Sequence, residues 1–172
     1  NYEGSLKSIS RYKFSKIQNF NQYEPEIAID KNNIIFFDNK GNILKFDSKA
    51  KLKWKKNNYS KTEKKMNPIL FFSTSKNYLI VADTVAKYYA LDINSGKIIW
   101  SKNNSAPFNS QIKTFKDKFF IVDSENVIKC FSIKDGSVIW SFKTEKPFIK
   151  SQKKNSLVIK NNKIIFNNSL GD

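Results

Sequence analysis

The chain has 172 residues, 40% hydrophobic and 15% aromatic, enough apolar content for a folded domain and too much for wholesale disorder. Its formal net charge is +16, yet Arg11 is the only arginine and the lysines are spread along the whole chain. That argues against a specific nucleic-acid site, which favours arginine's bidentate fork, and leaves a solvated lysine surface that attracts acidic partners or anionic lipid. With no histidine and a single cysteine, Cys130, there is no Ser-His or Cys-His catalysis, no common zinc site and no internal disulfide.

No apolar run approaches the roughly 18 residues of a membrane helix. Asn1-Tyr2-Glu3-Gly4 does not resemble a signal peptide, so any export signal or lipid anchor is expected upstream. Residues 1–25, with Ser5-Leu6-Lys7-Ser8-Ile9 and Tyr12-Lys13-Phe14, are expected to form a strand or connector that helps close a ring. Glu24-Pro25-Glu26 reads as an extended connector rather than an acid pair, because proline restricts the residue before it.

The first repeat, residues 26–57, runs from an apolar strand ending in Asp38, through Gly41, to the alternating Ile43-Leu44-Lys45-Phe46-Asp47 and a third strand ending at Trp54. A longer basic connection, 55–68, follows. Partner-binding loops of repeat folds gather on one face, so Lys55, Lys56, Tyr59, Lys61, Lys64, Lys65 and Met66 form the candidate interaction loop. The second repeat, 69–103, carries a strand ending in Asp83, then Tyr88-Tyr89-Ala90-Leu91-Asp92, a turn with Gly96, and Trp100. The third, 110–143, has a strand ending in Asp123, then the alternating Val127–Ser132 with Cys130 as a small buried side chain, Gly136 and Trp140. Residues 155–172 begin another unit at Lys163-Ile164-Ile165-Phe166-Asn167.

Asp38, Asp83, Asp123 and Asn167 recur 45, 40 and 44 residues apart, and Trp54, Trp100 and Trp140 recur 46 and 40 apart. Such a period, with several short strands per unit and turn glycines suited to tight hairpins, predicts an all-β propeller of four-stranded antiparallel blades, about 3.5–4 of them present. No segment holds a 3.6-residue period, so almost no helix is expected.

At Ala90-Leu91-Asp92-Ile93-Asn94-Ser95-Gly96-Lys97-Ile98-Ile99-Trp100 the chain resembles the tryptophan-docking repeat of the pyrroloquinoline-quinone-like (PQQ-like) propeller family: Ala, any, Asp, three of any, Gly, three of any, Trp. The third repeat keeps Gly136 and Trp140 with Cys130 for Ala and Ser132 for Asp; the first keeps Asp47 and Trp54 but has Lys45 for Ala and no turn glycine. The resemblance implies that each tryptophan packs between neighbouring blades while the turn Gly and Asp fix its approach. It covers two branches, the quinone-dependent dehydrogenases and a cofactor-free scaffold typified by the BamB subunit of the outer-membrane barrel-assembly machinery. The carboxylates here sit mainly at turns (Asp38, Asp83, Asp92, Asp123, Asp135) and there is no Cys-Cys pair, which is closer to the scaffold branch.

The resemblance therefore implies no cofactor, no catalysis, a periplasmic or outer-membrane-associated location, and as partners the barrel-assembly machinery or nascent outer-membrane proteins. A segment of a PQQ-dependent dehydrogenase and a polyanion binder are the alternatives. Three blades and a strand pair fall short of the usual ring of about four to eight. A longer parent chain is therefore expected, and open blade edges imply completion by a partner or a homodimer.

Overall fold

Alternating apolar residues broken by two- to five-residue turns fold the chain into successive antiparallel meanders. The computed structural model describes residues 26–38, 40–145 and 154–168. The first sheet contains β1 (Ala28–Asp30), β2 (Asn33–Phe37), β3 (Asn42–Asp47) and β4 (Leu52–Asn57), in that order. A short helix, α1 (Lys61–Lys65), leads to the second sheet of β5 (Leu70–Ser75), β6 (Tyr78–Asp83), β7 (Lys87–Asp92) and β8 (Ile98–Asn103). The third sheet holds β9 (Lys113–Phe115), β10 (Lys118–Val122), β11 (Val127–Ser132) and β12 (Val138–Lys143), and the fourth β13 (Leu157–Lys160) and β14 (Lys163–Phe166). These are propeller blades. The first strands β1, β5, β9 and β13 contact one another in turn, and three apolar clusters fill the spaces between consecutive sheets. The expected closing segment in 1–25 and the chain end at 170–172 lie outside the described residues.

Each four-stranded sheet carries a β-bulge at the same place. Lys45, Ala90 and Cys130 pair with Trp54, Trp100 and Trp140, and the next residue along (Phe46, Leu91, Phe131) pairs two positions earlier, with Leu52, Ile98 and Val138. The extra residue just before each tryptophan bends the outer strand and re-aims the indole. The tryptophans consequently stand mid-strand, and the expectation that they end their strands is corrected: β8 runs on to Asn103 and β12 to Lys143.

Helix is nearly absent, as expected: among the described residues it is confined to the five of α1, where Ser60 Oγ accepts from Glu63 N while Glu63 reaches back to Ser60 N, a capping box of a kind that needs only four residues and no 3.6-residue stripe. One further expectation is corrected: the fourth repeat is displaced by one residue. The β13–β14 turn pairs Lys160 with Lys163 as the β1–β2 turn pairs Asp30 with Asn33, which puts Asn168, not Asn167, at the position of Asp38. Asn168 is buried, whereas Asn167 is exposed and accepts from Ser156 N, so the last interval is 45 residues.

Candidate binding surface: blade seams and the helical connector

The seam between the first two blades begins with the bulge-directed Trp54. Its Nε1–H donates to the Ile93 carbonyl at 3.2 Å, and its ring lies so close to Gly96 that a Cβ there would come within 2.9 Å. Gly96 has φ +68°, so the turn needs glycine both for its backbone and for the ring's approach. Lys45, in the alanine place of the repeat, is buried; its Nζ donates to the Asp30 carboxylate at 2.7 Å and to the same Ile93 carbonyl at 2.9 Å. The Lys56 stem flanks Gly96 beside the indole.

The second seam repeats the device with aromatic neighbours. Trp100 Nε1–H donates to the Ile133 carbonyl at 2.9 Å, and a Cβ on Gly136 would meet the indole at 2.6 Å. Tyr88 sits edge-on to Trp100, its hydroxyl donating to the Gly136 carbonyl at 3.1 Å, while Phe119 stacks on the indole and on Phe131. Burial pushes the Tyr88 phenol up. Ala90 lies beneath, fully buried. Trp140 leans on Phe120 but is 39% exposed.

The repeat carboxylates serve two kinds of turn. Asp38, Asp83 and Asp123 are buried, and each Oδ1 accepts from the backbone N–H groups two and four residues on, at 2.9–3.1 Å. Asp92 and Asp135 sit at the outer hairpins. Asp92 is held low by the Ser95 hydroxyl and N–H, and the Ser137 N–H and hydroxyl bring Asp135 down to about 2. Cys130 is buried at the alanine place of the third blade, and burial raises its thiol.

The connector after β4 is built around Tyr59. Its hydroxyl donates to Asp83 Oδ2 at 2.5 Å and receives a longer bond, 3.5 Å, from Tyr89 OH; its ring closes over Gly41, where a Cβ would fall within 2.7 Å. Lys87 lies over that ring, donates to the Asn58 carbonyl and pairs with Glu63 Oε1 at 3.0 Å. Burial raises Tyr59 far above the ordinary phenol range, with Tyr89 and Asp83 adding to it, and burial likewise raises Asp83 against the bonds it accepts. The candidate interaction loop is therefore divided. Lys55 and Lys56 belong to β4, and Tyr59 is a core residue rather than a handle because its ring has a glycine-lined seat and its hydroxyl a carboxylate partner. Lys61, Lys65 and Met66 are exposed and Lys64 half-buried, on a helix with no buried residue.

Sequence reasoning passed over Lys45, whose place in the repeat was read as degeneracy, and Asp30, its partner fifteen residues away. The signal was a lysine at a position flanked on both sides by buried apolar residues.

A family model described as outer membrane protein assembly factor BamB matches residues 39–172. Among solved structures, BamB from Moraxella catarrhalis is 16% identical, with a TM-score of 0.59, over 69% of this chain and 35% of that one. The computationally designed protein Ika4 is 13% identical with a TM-score of 0.69, over 91% and 92%. Quinohemoprotein alcohol dehydrogenase from Comamonas testosteroni is 15% identical with a TM-score of 0.56, over 68% and 20%. The chain thus spans about a third of the Moraxella protein's length, and identities this low speak to fold alone. No curated protein sequence matches the chain.

Proposed function

The chain belongs to the family of the outer membrane protein assembly factor BamB, and on that premise we propose that it is a non-catalytic protein-binding scaffold of the bacterial cell envelope that assists assembly of outer-membrane β-barrel proteins. One observation carries the non-catalytic part: the carboxylates of Asp38, Asp83 and Asp123 are buried and each is taken up by two turn amides, so the recurring acids of the repeat work as turn ligands and not as acid–base groups. The exposed side chains of α1 and the outer blade edges are the surfaces offered to partners, the edges by strand addition, which tolerates many client sequences. Location in the periplasm, association with the outer membrane through a lipid anchor elsewhere in the parent protein, and pairing of two copies through blade edges belong to the same proposal.

The test is in-cell crosslinking from residue 65 or 66 on α1, followed by mass spectrometry of the envelope fraction. A crosslink to a β-barrel assembly subunit or to an unfolded barrel client is expected. Crosslinks restricted to cytoplasmic proteins overturn the reading. The likeness to the Comamonas dehydrogenase supports a second reading, a segment of a quinone-dependent dehydrogenase. Its check is dye reduction by the parent protein that appears only when the quinone is added.

A further inference from the structure

The innermost hairpin of every blade turns through a residue in left-handed backbone: Lys31 (φ 53°), Lys76 (52°), Lys116 (55°) and Asn161 (50°). Asparagine and glycine enter that region readily, whereas a lysine there is strained. All three lysines are exposed. A non-glycine outlier repeated at one structural position is a place to look for a role.

The inner strands hold these turns side by side. Glu26, ahead of β1, accepts from Phe72 N in β5 at 2.6 Å, and Thr114 Oγ1 in β9 donates to the Thr74 carbonyl in β5 at 3.4 Å. The chain entering β9 and the chain entering β13 run parallel through the Ser110–Asn155 bridge, and Phe115 at the end of β9 and Ile159 near the end of β13 pack in one cluster beside their turns. The turns therefore emerge together at one mouth of the arc, with a turn lysine from each of the first three blades and, from the fourth, Lys160 and Lys163, the paired strand residues that flank its Asn161-Asn162 turn. Of the acids there, Asp30 is engaged by Lys45 and Asp117 follows Lys116 in its turn. The outer hairpins on the same side are mixed: Asp47, Asp92 and Asp135 alternate with Lys49, Lys51, Lys97 and Lys134.

We propose that the inner row Lys31, Lys76, Lys116 and Lys160 binds an extended acidic peptide segment, its carboxylates spaced along successive blade turns. A broad anionic surface such as a bilayer would also meet the carboxylates of the outer turns; a narrow chain lying along the inner row does not. This inference does not depend on the scaffold reading.

The test measures anisotropy of a fluorescein-labelled oligoglutamate peptide titrated with the 172-residue chain. The triple variant Lys31→Asn, Lys76→Asn, Lys116→Asn removes the charges while suiting the left-handed turns, so its fold is preserved, as circular dichroism will show. The control, Lys49→Asn, Lys97→Asn, Lys134→Asn, removes the same charge from the outer turns. We expect the inner triple to weaken binding about tenfold and flatten its salt dependence, and the outer triple to change it less than about twofold. Equal losses in the two triples, or none in the inner one, overturn the proposal. So does tighter binding of phosphatidylglycerol vesicles or single-stranded DNA than of the peptide with the same dependence on the inner lysines.

Discussion

The first two seams of the arc solve one geometric problem with different chemistry. In both, a bulge aims a tryptophan at a glycine turn of the next blade and its indole N–H meets a backbone carbonyl (Ile93 or Ile133). The second seam surrounds that contact with rings, Tyr88, Phe119 and Phe131, over Ala90. The first replaces the alanine by Lys45 and answers the buried ammonium with Asp30 and a shared carbonyl, then adds the Tyr59–Asp83 bond from the connector. The docking device is thus tolerant: what it demands is a ring, a bulge, a Cβ-free turn and a carbonyl, while the surroundings can be apolar or ionic as long as every buried polar group is met.

The largest effect that separates the seams is truncation of the aromatic one. Trp100→Ala removes a stacked ring and its hydrogen bond and should cost about 3–5 kcal/mol in urea unfolding; unchanged stability would remove the docking role from Trp100. At the ionic seam, Lys45→Ala strands Asp30 in a largely buried site and should cost about 3 kcal/mol. The double variant Lys45→Met, Asp30→Asn should recover much of that, so a double-mutant cycle that finds the two positions additive would break the comparison. Smaller is Tyr59→Phe, which leaves Asp83 its turn amides but takes the phenol bond, for about 1–2 kcal/mol by thermal melting.

The smallest effect is electrostatic and lies at the Gly136 turn. Asp135 is depressed from an ordinary 3.8 to about 2. A lowered folded pKa gives stability that is present above about pH 4 and is lost as pH falls toward 2. Asp135→Asn should therefore melt slightly below the parent at pH 6 and match it near pH 2. A constant difference across that range would show that the Ser137 bonds act without the charge.

Much of the architecture was readable from residue patterns. Strands alternate with period two, the aspartates must follow the second strand because their short side chains reach the turn amides, and Gly96 and Gly136 announce turns with positive φ. The candidate interaction loop was the least readable part. Charge and length marked 55–68 as a connector, but whether Tyr59 points outward depends on Gly41 and Asp83, far from it in sequence. The helix escaped notice because a five-residue element has no periodicity to read, only its capping box.

What the chain determined by itself is therefore the blade, its period and its turn chemistry, since these rest on local backbone preference and short-range hydrogen bonds. Which carbonyl each tryptophan meets, why a lysine can stand in for alanine, and the gathering of Lys31, Lys76, Lys116 and Lys160 at one mouth were decided by the packing of one blade on the next. Those contacts join residues about 40 positions apart, and no local pattern encodes which of several compatible partners the packed seam will select.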